Sequence, residues 1–134
     1  MTTCAATEHI GGIEREARTY KERARCCTHD LPYKIFPKIM TVYLMESVCK
    51  WLNAFPGKTG VSKTISPSTI VEGKPKPNMN NKHIVFGSYA IAYTGTTNNM
   101  RARGVPSIAL KSSNDSGGHY FMNLYTGRTL HSYK

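Results

Sequence analysis

Between Lys34 and Phe55 the apolar positions recur at the helical period, and the rest of the chain is patterned around that stretch. In KIFPKIMTVYLMESVCKWLNAF, Phe36, Met40, Leu44, Val48, Trp51 and Phe55 share one face, and Ile39, Val42, Met45 and Cys49 widen it. The polar arc is narrow: Lys38, Glu46, Lys50 and Asn53, with Glu46 and Lys50 in the favourable i,i+4 order. Pro37 suits a first helical turn, and Pro56-Gly57 stops the helix. A helix apolar over most of its circumference predicts a core helix covered from more than one side. The three charges spread along it argue against a membrane span.

Upstream, Glu8 to Cys27 predicts an amphipathic helix beginning near Gly12. Ile13, Ala17, Tyr20, Ala24 and Cys27 form a stripe at 4-3-4-3 spacing. Glu14 and Glu16 suit the positive end of the helix dipole, and Arg23 and Arg25 suit the negative end. Glu14, Arg18, Lys21 and Arg25 follow one exposed face beside Arg15. His29-Asp30-Leu31-Pro32 ends this helix, and so short a connection to the next predicts an α-hairpin.

From Pro56 to Asn81 the periodicity disappears. Pro, Gly, Ser, Asn and Lys dominate, and only Val61, Ile65, Ile70 and Val71 offer anchors. Ser66-Pro67 can start one short helical turn, with Ser66 as cap and Pro67 first. After Lys82 the signals turn to strand: Ile84–Tyr93, Ser107–Lys111, His119–Tyr125 and Thr129–Tyr133, separated by Gly- and Asn-rich turns. Gly87 inside the first suggests a bulge or a close backbone approach. Strands so spaced predict an antiparallel meander curled into a small barrel. The fold class is therefore α+β: residues 1–56 helical, 57–82 a basic linker, 83–134 a small β domain.

Charge sharpens this picture. The chain of 134 residues carries a formal net charge of +10. Residues 1–56 hold eight Lys/Arg against six Asp/Glu, whereas residues 57–134 hold ten against two. A basic C-terminal half points to a polyanionic partner, nucleic acid before an anionic membrane surface. MTTCAATEHIGG has neither the basic nor the apolar region of a signal peptide, and Cys4, Cys26, Cys27 and Cys49 form no C-x-x-C, so an intracellular setting is expected. His9, His29, His83, His119 and His131 lie too far apart for a metal motif, and neither phosphate-binding glycine loop nor hydrolytic triad is apparent.

Several motifs taken in order resemble one family. EHIGGIEREARTYKERARCC, LPYKIFPKIM and WLNAFPGKTGVSKTISPSTIVEG resemble the end of the integrase core in copia-type retrotransposon polyproteins, of algal or diatom type. HIVFGSYAIAY and SGGHYFMNLYTGRTLHSY resemble the β-rich segment that follows that core. The shorter signatures within them are S-P-x-x-I-x-x-G (Ser66 to Gly73), F-G-x-Y (Phe86 to Tyr89) and L-x-T-G-R (Leu124 to Arg128). The likeness implies the C-terminal helices of a ribonuclease-H-like core, incomplete here, followed by a Src-homology-3-like barrel. It also implies DNA integration by a transposable element, with nuclear localisation.

In that family the last catalytic carboxylate stands in a V/I-E-R pattern, matched by Ile13-Glu14-Arg15, so the resemblance assigns Glu14 a Mg²⁺ or Mn²⁺ ligand role. The family's two aspartates precede this glutamate, yet only thirteen residues precede Glu14, none of them Asp. The expectation is a polyprotein fragment that is not an enzyme by itself and takes no metal unless the missing ligands are supplied. Its expected partner is DNA, bound non-specifically through phosphates by Arg15, Arg18, Lys21, Arg25, Lys74, Lys76, Lys82, Arg101, Arg103 and Arg128. A basic RNA-binding module, or a protein-assembly module that self-associates through exposed apolar helix faces, is the alternative.

Overall fold

The computed structural model describes residues 11–58, 60–73, 84–95, 99–113 and 117–133. The chain divides into two compact units, Met1–Ile35 and Phe36–Lys134. Helices lead into a four-stranded antiparallel sheet, an α+β architecture as the patterning predicts.

The first unit contains α1 (Gly11–Asp30), one turn longer than its apolar stripe suggests. Thr28 closes the extra turn by donating its hydroxyl to the Ala24 and Arg25 carbonyls at 2.9 and 2.8 Å. Leu31 N–H then bonds back to Thr28 O, 3.3 Å, where the helix stops before Pro32. The stripe is only partly covered: Ala24 is buried and Tyr20 and Cys27 half-buried, whereas Ile13 and Ala17 are exposed. Burial raises the Cys27 thiol pKa, with the negative charges of Asp30 and Cys26 adding to the effect.

The second unit opens with α2 (Lys38–Ala54). Its start falls after Pro37, which is the extended N-cap residue rather than part of the first helical turn as expected. The helix ends where Phe55 is extended ahead of Pro56, because the residue preceding a proline is driven out of helical geometry. Met40, Leu44 and Val48 are buried, but Val42, Trp51 and Phe55 are about half exposed. The expectation of a helix covered on several sides is thus corrected. Trp51 and Phe55 instead stack on each other at 5.9 Å across one turn, which shields part of each ring.

A short α3 (Pro67–Glu72) packs on α2. Ser66 caps it as expected, Pro67 occupies the first turn, and Gly73 at φ +65° terminates it with its N–H on Thr69 O. The apolar anchors expected here are exposed, Val61 almost fully. A polar anchor replaces them: Ser66 is 2% exposed and hydrogen-bonds Thr69 Oγ1 at 2.8 Å.

The sheet comprises β1 (Tyr89–Tyr93), β2 (Gly104–Ser112), β3 (His119–Asn123) and β4 (Thr129–Ser132) in the order β1-β2-β3-β4. It is the expected meander, with no β1–β4 pairing among the described residues to close a barrel. β1 starts at Tyr89 rather than Ile84. Gly87 turns to φ +79°, and Ser88 donates both N–H and hydroxyl to Val85 O, making a turn where a strand was expected. Gly87 does make the close approach anticipated for it, its N–H lying 2.8 Å from Ala109 O.

Alternation places Ala92, Ala109 and Phe121 on one face as a buried cluster flanked by Ala90 and Leu130. The register slips between Ala109 and Lys111, so Leu110 is the extra residue of a bulge. Its carbonyl accepts from Ser47 on α2 at 3.4 Å, and Ser112 O accepts from Lys50 at 3.3 Å. Lys111 meets Glu46, and Tyr120 stacks on Tyr43 at 6.2 Å. Tyr43, Glu46, Ser47 and Lys50 therefore form the stripe that docks α2 on the sheet, and part of the arc expected to face water faces β2.

Candidate nucleic-acid interface

In a meander the β1–β2 and β3–β4 connections emerge at the same end of the sheet. This juxtaposition gathers cations that lie far apart in sequence. Thr94 N–H and hydroxyl both donate to Arg103 O, at 3.0 and 3.4 Å, which fixes Arg103 directly before β2. Arg101 lies two residues earlier and Arg128 directly before β4, and all three side chains are exposed.

The β3–β4 turn is built by Asn123. Its Oδ1 accepts from the Tyr125 and Thr126 amides at 2.7 and 3.3 Å, while its N–H donates to Arg128 O at 2.9 Å. Gly127 supplies the left-handed residue, φ +66°, that lets the chain re-enter the ladder. Leu124 N–H reaches Pro106 O at 3.1 Å, tying this turn to the start of β2. From strand spacing and rise, Arg103 and Arg128 stand roughly 15 Å apart, a span of two or three backbone phosphates.

Aromatic and apolar side chains interleave with these cations. Tyr93, Tyr125, Leu124 and Met100 are exposed at the same end. The sequence-based site omitted them; the signal was available in Tyr125, which falls within L-x-T-G-R. From residue 84 onward the sequence holds a single carboxylate, Asp115, outside the described residues. Glu46 is engaged by Lys111 at the bulged end of β2. Lys58 and Lys63 line a separate open concavity with Pro56 and Gly57.

The cations expected on α1 are of a different kind. Arg15, Arg18, Lys21 and Arg25 are exposed, but α1 also carries Glu14, Glu16, Glu22 and Asp30. Arg18 Nε bonds Glu22 Oε1 at 3.2 Å, so part of the basic face is neutralised by its own helix. Lys74, Lys76 and Lys82 lie outside the described residues.

Glu14 stands exposed in the first turn of α1. Among the described residues no group of three or more His, Cys, Asp or Glu side chains could hold a metal ion. No described helix is long and apolar enough to cross a membrane. The fold defines an α+β protein with a four-stranded meander. No known protein family, curated protein or solved structure matches the chain.

Proposed function

We propose that this chain is a non-catalytic nucleic-acid-binding segment of an integrase region resembling that of copia-type retrotransposons. The observation that carries the binding role is the gathering of Arg101, Arg103 and Arg128 at one end of the meander, with Tyr93 and Tyr125 among them. These cations sit in turns rather than along a helix that could enter a major groove, so they address phosphates rather than base edges. Binding is then insensitive to sequence and steeply dependent on salt. With about four to six phosphate contacts drawn from these arginines and the other cations of the basic half, the log–log slope is about −4 to −5.

Fluorescence anisotropy of labelled duplexes across a salt series tests this. The double change Arg101→Ala, Arg103→Ala lowers affinity alike on unrelated duplexes and makes the slope shallower by about one to two units. Loss of affinity for one sequence only, with the slope unchanged, would show base reading and sink the phosphate account. The same titration with RNA of matched length decides between DNA and RNA as the partner.

A further inference from the structure

We propose that the exposed edge of β1 pairs with the β1 of a second copy, joining two meanders into one antiparallel sheet. The sequence around β1 is symmetric: Gly87-Ser88-Tyr89-Ala90-Ile91-Ala92-Tyr93-Thr94-Gly95 reads the same from both ends, apart from the conservative exchange of Ser88 for Thr94. An isologous contact about a two-fold axis needs this property, since residue i of one copy meets residue j of the other and j meets i.

The hydrogen-bond phase agrees with the same centre. Ala109 N–H bonds Ser88 O at 2.9 Å and Thr94 N–H bonds Arg103 O at 3.0 Å, so even-numbered positions direct their peptide groups toward β2. Alternation along an antiparallel strand then turns the N–H and C=O groups of Tyr89, Ile91 and Tyr93 outward. Pairing about Ile91 sets Ile91 against Ile91 and Tyr89 against Tyr93, all of them outward-bonding positions, so both copies offer matching donors and acceptors. A centre displaced by half a residue would oppose outward-bonding to inward-bonded positions, and a centre moved to Ala92 keeps the bonding phase but loses the sequence symmetry.

Side chains fit the same axis. Tyr89, Ile91 and Tyr93 share one face and are 65%, 62% and 56% exposed, and pairing extends them into a six-residue apolar ladder. β1 carries no charged residue, so no like charges face each other across the axis despite the net charge of +10. β1 also lacks the lysine, proline or inward charge by which exposed edges are commonly blunted.

Sedimentation velocity of the full chain over a wide concentration range tests the pairing, alongside Ile91→Lys. A monomer–dimer equilibrium is expected for the native chain. Ile91→Lys sets two ammonium groups against each other at the axis and raises the dimer dissociation constant at least about tenfold, with an unchanged melting profile. Cysteine scanning decides the register, with disulfides mapped by mass spectrometry. Ile91→Cys joins its counterpart, since directly opposed Cα atoms lie about 5.5 Å apart. Tyr89→Cys does not, because its counterpart is about 13 Å along the strand. Should Ile91→Lys lose its fold, the cross-links alone decide. A native chain that stays monomeric throughout, a folded Ile91→Lys variant that still dimerises fully, or residue 89 cross-linking to itself as readily as residue 91 would each overturn the proposal.

Discussion

Lys111 on β2 holds its ammonium 5.0 Å from the centroid of the Tyr43 ring on α2, although 68 positions separate the two residues. The same nitrogen lies 5.3 Å from the Tyr120 ring and donates to Glu46. The Lys111 side chain is 18% exposed and that of Glu46 46%, so the rings shelter the cation more than water reaches it. Lys111→Met should cost about 1–2 kcal/mol through the lost cation–ring contacts. Glu46→Gln should cost less than about 1 kcal/mol, the exposed carboxylate being screened by solvent. Urea denaturation of both variants checks this; equal losses would show that the carboxylate, not the rings, holds Lys111.

Two glycines should respond to the same substitution to different extents. A Cβ on Gly118 would lie 2.6 Å from Ser132 O and 2.9 Å from His131 Nε2. Neither can yield readily, since one is strand backbone and the other belongs to a ring held 4.8 Å from both Tyr120 and Tyr133. Gly118→Ala should therefore cost about 1–3 kcal/mol. A Cβ on Gly104 would lie 2.5 Å from Cγ2 of Ile91, which can clear it only by a change of χ1, but Ile91 is exposed and no backbone is in the way, so Gly104→Ala should cost about 1 kcal/mol, less than Gly118→Ala. Thermal unfolding of the two variants gives the comparison.

Ser66 should contribute more to stability than the apolar residues around it. Its hydroxyl accepts from Thr69 N–H at 3.4 Å and bonds the Ser68 and Thr69 hydroxyls, all in a buried position. Ser66→Ala removes the cap and leaves those groups short of a partner, costing about 1–2 kcal/mol. Val61→Ala, at an exposed site, should stay within about 0.5 kcal/mol. Chemical denaturation in which Val61→Ala proved the worse would mean that the linker is held by apolar contacts after all.

Cysteine reactivity should follow the local environment. Cys26 and Cys49 are exposed, whereas burial first, then Asp30 and Cys26, raises the Cys27 thiol. The thiolate is the reactive form, so iodoacetamide at mildly alkaline pH should label Cys26 and Cys49 before Cys27, as peptide mapping would read. With a raised folded-state pKa, the contribution of the neutral thiol is present below the ordinary thiol pKa and is lost as pH rises through the raised value. Cys27→Ala should remove that alkaline loss of stability.

The arginines at the end of the sheet should be replaceable by another cation. If they meet phosphates, Arg101→Lys with Arg103→Lys keeps affinity within about threefold and leaves the salt slope unchanged, because a point charge suffices. A lysine double variant as weak as the alanine one would point to the bidentate geometry used on guanine edges.

Much of this molecule follows from local rules that a sequence carries openly. Two prolines bound α2, Pro56 by forcing Phe55 out of the helix and Pro37 as its N-cap, although the helix starts one turn later than the apolar run suggests. Ser66-Pro67 at the head and Gly73 at the tail defined α3, and two-residue alternation with glycine turns defined the meander. These are short-range effects, settled by neighbours a few residues away. The joint between α2 and β2 is of another kind. The arc of α2 carrying Glu46 and Lys50 looks solvent-facing because both residues are charged, yet Lys111 and the Ser112 carbonyl meet it across more than sixty residues. Trp51 and Phe55 look buried because they are apolar, yet they stack against each other at the surface. Arg101, Arg103 and Arg128 came together only through the order of strands. Local patterning specifies which residues a helix or strand places on each face, but which face finds cover depends on long-range packing, and that only the tertiary structure decided.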